Sequence, residues 1–253
     1  MNLYEYWDAL CAECDAFHQE MRDPGQYAQL HRELEQNACR NILSTYGYSL
    51  GLASPSVMTK FIIKNHKTGR VLRQPKPDQM YQAIWYDADG NPAAIEDYAD
   101  MHPGALCTKS ETTFFVCRQD AVWTARYSEY SSRHTLDSTH FKIVCDAQQR
   151  LRGFYKITAG NDSLEAEEYD YSRADEGVVI CLYTYYIGKA QGSSKEIPVG
   201  FKGSPAVQWK YEIEADETGR FKSLTTFPNK EGVFVRHEHI TFAPDTKLKI
   251  KIH

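Results

Sequence analysis

Two periods of hydrophobic recurrence divide this chain. Up to about residue 46, apolar positions recur at helical spacing: Leu3, Trp7, Leu10, Cys14 and Phe17, then Tyr27, Leu30, Leu34 and Ile42. Arg22-Asp23-Pro24-Gly25 interrupts them, with Pro24 placed to open a second helix. The spacing predicts a helical hairpin over 3–21 and 25–44, closed by Gly47 and Gly51. Beyond about residue 55 the period falls to 2. In AVQWKYEIE, Val207, Trp209, Tyr211 and Ile213 face one way and Gln208, Lys210, Glu212 and Glu214 the other. That is a strand with one wet face, as antiparallel sheets have.

GVVICLYTYYIG (177–188) is apolar on both faces and predicts a central strand. TKLKIKIH alternates Lys247, Lys249 and Lys251 with Leu248, Ile250 and Ile252, the pattern of a protected edge. Further strands are expected at 57–64, 79–87, 112–118, 121–130, 140–145, 151–159, 164–172, 219–227 and 232–242, with a short one after Gly69. Pro92–Met101 (PAAIEDYADM) has helical character, with Pro92 in a first-turn position. The connections are short, as hairpins require.

YEIEADETGRFKSLTTF (211–227) repeats a phrase seen more loosely at Phe61, Ile84 and Phe141: alternation, an acidic turn, alternation again. Asp216-Glu217-Thr218-Gly219, Asp87-Ala88-Asp89-Gly90 and Lys67-Thr68-Gly69 are its joints. Gly supplies a positive φ and Asp bonds its own backbone. Uneven spacing argues against a solenoid or propeller. The expected fold is therefore mainly β (α+β): a large curved antiparallel β-meander, two-layered or barrel-like, with an N-terminal α-helical hairpin. The expected division is a hairpin at 1–50 and a sheet domain at 51–253.

Composition sharpens this. The chain has 253 residues, 17 Tyr and 13% aromatics, which favours pleated surfaces. No apolar run is long enough for a membrane span, and MNLYEYWDALCAECD does not read as a signal peptide. Seven cysteines are then expected as reduced thiols in a cytoplasmic protein. A net charge of −5 argues against direct nucleic-acid binding.

Four segments carry candidate chemistry. Cys11, Cys14 and His18 share a helical face and present three soft groups to zinc, with His31 or Cys39 as a fourth; the alternative is a pair of small buried thiols. His237 and His239 project to one strand face and suit zinc or another divalent metal, given a third ligand such as His134 or His140; the alternative is two rim histidines. NDSLEAEEYDYSRADE (161–176) places Glu165, Glu167, Glu168, Asp170, Asp175 and Glu176 around Tyr169 and Tyr171. Such a strip offers a basic protein partner charge and aromatic anchors, or it is a solvated outer strand. AQGSSKEIPVGFKGSP (190–205) reads as a long loop. Phosphate-loop, Rossmann and nucleophile-elbow motifs are missing. Among Cys107, Cys117, Cys145 and Cys181 no nucleophile stands out, and the last three sit in apolar strands.

AIWYDADGNPAAI and KYEIEADETGRFKSL resemble the tyrosine–aspartate repeats of bacterial Rhs-type toxin shells. A short chain of this make-up also resembles some immunity proteins that neutralise such toxins, although shell proteins are far longer. The resemblance implies a non-enzymatic binding protein with a basic toxin domain as partner and no cofactor, and it carries over no catalytic residue. Two other readings stand beside it: a metal-dependent β-barrel enzyme using His237 and His239, and a ligand-binding barrel lined by Trp85, Trp123 or Trp209.

Overall fold

The computed structural model describes residues 3–44, 56, 71–100, 106–130, 133–160, 163–173, 180–187, 206–230, 233–246 and 248–249. The fold is mainly β with two N-terminal helices, and its described strand pairs are antiparallel. Among the described residues no closed barrel forms. The strands expected at 57–64 and after Gly69, the joint at Lys67, the stops at Gly47 and Gly51 and the loop 190–205 lie outside the described residues.

Helix α1 (Leu3–Met21) follows the apolar spacing. Helix α2 (Gln26–Asn37) stops seven residues short of the expected 44. Ala38 is already extended, at φ −118° and ψ 151°. Ladder pairing of Cys39–Ser44 with Tyr81–Tyr86 overrides the helical spacing that links Leu34 to Ile42. Cys39–Ser44 instead forms strand β1. Pro24 lies in the turn before α2, whose N-cap is Gly25.

By packing, the chain forms two compact units: Asp15–His140, and Met1–Cys14 with Phe141–His253. In Asp15–His140, β2 (Tyr81–Tyr86), β3 (Pro92–Ala99), β4 (Thr108–Arg118) and β5 (Ala121–Tyr130) follow β1 as successive neighbours. β6 (Arg133–Leu136) pairs with β5. The helical expectation for Pro92–Met101 is corrected here. The segment is a strand hydrogen-bonded on both sides, with Ile95 opposite both Ile84 and Thr113. Tertiary pairing overrides local propensity, and Pro92 sits at the strand's first position beside a bulge, where its missing N–H costs least. The rows Ala83–Glu96–Thr112–Tyr127 and Trp85–Ala94–Phe114–Ala125 share one face. The helices cover that face: Phe17 stacks on Trp123 at 5.1 Å, and Tyr27 meets Phe114 and Tyr127 edge-on. Fully buried Ala83, Ala94 and Ala125 leave these large rings room.

In the other unit, which takes up β7 (Thr139–Cys145) from Phe141 on, β7, β8 (Leu151–Thr158), β9 (Ser163–Asp170), β10 (Ile180–Ile187), β11 (Ala206–Ala215) and β12 (Phe221–Lys230) pair in chain order. β13 (Val233–Phe234) and β14 (Glu238–Thr241) both pair with β12. The central position expected for 177–188 is found over β10, bonded to β9 and β11. The single strand expected at 232–242 is split. Pro228 accepts a bond from the Val235 N–H but has no N–H to return, so the ladder breaks between β13 and β14. The start of α1 packs here, through a Tyr6–Tyr155 hydroxyl contact of 2.9 Å and the buried Cys14 thiol, 3.9 Å from the Ile157 carbonyl.

The recurring joint is structurally one device. Asp87, Asp146 and Asp216 each accept backbone N–H bonds two and four residues on with one carboxylate oxygen, at 2.8–3.0 Å. A left-handed residue completes each turn: Gly90 at φ 81°, Gln149 at 61° and Gly219 at 75°.

Candidate functional site

The acidic strip divides by face. Tyr169 and Tyr171 are 2% and 7% exposed, so they are core residues and not the surface anchors expected of them. The Tyr171 hydroxyl donates to the Leu151 carbonyl at 3.0 Å, and that of Tyr169 donates to Glu167. Apolar area outweighed the charges flanking these rings in sequence. Glu165 is exposed and meets Lys156 at 3.0 Å, Glu168 accepts from Tyr155, and Asp170 caps Ser172. Asp175 and Glu176 lie outside the described residues. Register places Asp170, Glu212, Thr225 and His239 on one cross-strand row through Cys181 of β10.

His237 precedes β14 and His239 lies within it, both exposed. His239 Nδ1 meets the Thr225 hydroxyl at 2.8 Å, whereas His237 sits edge-on to Trp209 at 6.2 Å. Cys14 is buried, Cys39 is exposed, and His31 approaches Glu35 and Glu96. Among the described residues no group of three or more His, Cys, Asp or Glu side chains is placed to hold a metal ion. Of the tryptophans, Trp123 is core, Trp209 stacks on Tyr211, and Trp85 carries the Arg40 guanidinium 5.6 Å above its ring.

Two groupings in Asp15–His140 escaped sequence reading. The first is a buried ion network. Glu96, 2% exposed, is approached by Arg40 at 3.1 Å, Lys109 at 3.4 Å and His31 at 3.5 Å. Lys109 also reaches Glu129 at 3.1 Å, which accepts from Tyr27 at 2.6 Å and Thr112 at 2.8 Å. Burial pushes both carboxyls up, but the hydrogen bonds and cations around them hold both below the usual carboxylate range. Glu96 was hidden because its segment read as helix.

The second is a cleft of about 590 Å³ at the α1–α2 turn, facing β6. His18, Arg22, Tyr27, Tyr127, His134 and Ser138 line it. His134 stacks on Tyr27 with ring centroids 3.6 Å apart and planes at 12°. Behind it, His18 Nδ1 lies 2.9 Å from His140 Nε2, and His140 Nδ1 lies 2.9 Å from the Thr124 carbonyl. Burial pulls both imidazoles below the ordinary histidine range, helped at His18 by Arg22. A carbonyl only accepts, so neutral His140 carries its proton on Nδ1 and offers Nε2 as acceptor. His18 must then donate from Nδ1, and its Nε2 holds a lone pair.

No protein-family model matches the chain, and no curated protein matches it. A solved structure of a protein of unknown function from Bacteroides fragilis is similar over 65% of this chain and 93% of its own, at 9% identity and a TM-score of 0.28. Among the described residues, no helix is long and apolar enough to cross a membrane.

Proposed function

We propose that the protein is a non-enzymatic cytoplasmic binding protein, of the kind that neutralises a bacterial toxin, and that it grips a basic protein domain with outward carboxylates of its second unit. The supporting observation is the register of β9 to β12, which puts Asp170 on one row with Glu212, whose carboxylate Arg173 and Lys210 hold at 2.6 and 2.8 Å. Glu214, exposed, is two positions along β11 from Glu212 and on the same side. The tyrosines of the strip now act from below, as the packed floor that fixes this strand.

The experiment is titration calorimetry against the basic domain of a toxin encoded beside this gene. Nanomolar affinity that weakens steeply with added salt is expected. Charge reversal in an Asp170→Lys, Glu214→Lys double variant should weaken it more than tenfold. Tight binding indifferent to salt and to these changes would refute the surface, and no binding would refute the reading.

A further inference from the structure

We propose that the cleft between the α1–α2 turn and β6 is a small-molecule site for a planar anion bearing a hydroxyl, held by the Nε2 lone pair of His18. The case rests on hydrogen-bond direction. The chain of bonds from the Thr124 carbonyl through His140 to His18 has one consistent polarity when both rings are neutral. It fixes His18 as an Nδ1–H tautomer. Nε2 is then an acceptor, and no described residue hydrogen-bonds it, while His18 is among the residues that line the cleft. A ligand atom meeting it must be a donor, so a hydroxyl is favoured over an ether or a carboxylate.

The other walls narrow the class. Arg22 is exposed at the rim and supplies positive charge for an anionic group, and the neighbouring Asp23 carboxylate, also in the lining, is engaged by the Gly25 N–H at 2.8 Å. His134, itself exposed, lies flat on buried Tyr27 and presents its outer face to a second planar group. The hydroxyls of Tyr27 and Tyr127 are turned away, to Glu129 and to the Met21 carbonyl, so these rings present apolar surface. A cavity of about 590 Å³ suits a one- or two-ring compound. The Lys109–Glu129 pair fixes Tyr27 from behind, so the floor is preorganised.

The probes are 4-hydroxybenzoate and benzoate, followed by nitrogen-15 NMR of the histidines in the whole protein. In the free protein, His18 should show the pattern of an Nδ1–H tautomer. 4-Hydroxybenzoate at millimolar concentration should move the His18 Nε2 resonance, and benzoate should bind at least tenfold more weakly, because an acceptor built for a hydroxyl is left unpaired. His18→Phe should remove that preference. An Nε2–H tautomer in the wild type would overturn the proposal whether or not any variant folds. So would equal binding of both probes, or no binding of either.

Discussion

The Gln82 side-chain amide donates a 2.7 Å hydrogen bond to Asp97, directly across the β2–β3 ladder. This bond favours the carboxylate, yet burial dominates, and the Asp97 carboxyl is pushed up to about 6 from an ordinary 3.8. Glu111 adds to the rise and Arg126 opposes it. Between those values the unfolded chain releases a proton that the folded chain keeps. Stability must therefore fall as pH rises through roughly 4 to 6, by up to about 3 kcal/mol for a shift of this size. Asp97→Asn keeps the acceptor for Gln82 but cannot ionise. It should match the wild type near pH 4 and exceed it in urea midpoint at pH 7. Equal midpoints at pH 7 would show that Asp97 ionises without penalty.

Glu96 has the opposite sign. Burial opposes its charge, but Lys109 and Arg40 prevail, and its carboxyl lies below the usual range. Its contribution is present above the ordinary carboxylate value and is lost as pH falls through its lowered one. Lys109→Met removes the cation shared by Glu96 and Glu129 and leaves the buried Glu96 and the half-buried Glu129 less compensated. A loss of about 3 to 5 kcal/mol is expected in denaturant unfolding at pH 7. The deficit should shrink toward pH 4 as the carboxyls take up protons. A deficit independent of pH would assign Lys109 a packing role.

Much of the architecture was legible because period and turn chemistry are local. Val207 to Ile213 alternates, and Tyr211 and Ile213 are indeed buried. The failures have a common physical cause. Ala93-Ala94-Ile95-Glu96 reads as helix unless one knows that β2 and β4 lie on either side. Tyr169 and Tyr171 look like surface residues because their neighbours are charged, but alternate residues of a strand face opposite ways. The His18–His140 relay joins positions 122 residues apart and leaves no local trace. The acidic turns at Asp87 and Asp216 did leave one, whereas Gln149 in the left-handed position of the Asp146 turn did not.

Those turns give a matched pair of substitutions. A Cβ added at Gly90 meets nothing within 4 Å, so Gly90→Ala tests backbone conformation alone. At φ 81° it should cost about 1 kcal/mol. Gln149 pays that penalty already, at φ 61°, and its side chain is exposed. Gln149→Gly should recover part of it, raising the melting temperature where Gly90→Ala lowers it. Changes of the same sign in both variants would show that the two turns are not energetically equivalent.

Gly153 gives the sharpest steric test. It is buried in β8 opposite Glu168, and an added Cβ would lie 2.5 Å from the Tyr155 ring and 2.6 Å from its hydroxyl. A free ring end would swing away, but this one is held. Tyr155 is 5% exposed, contacts the Tyr6 hydroxyl at 2.9 Å and donates to Glu168 at 3.3 Å. Burial, with Tyr6 and Glu168, also raises its hydroxyl far above the ordinary tyrosine range, so it stays a neutral donor. Gly153→Ala should therefore cost about 1 to 3 kcal/mol, as overpacking does. Tyr155→Leu removes the obstructing hydroxyl and shortens the side chain, at a cost of its own. In the double variant the alanine should then add almost nothing, a coupling read from the four unfolding curves of a double-mutant cycle. Additive losses would place the strain in the backbone of β8 and not in the ring that lies over it.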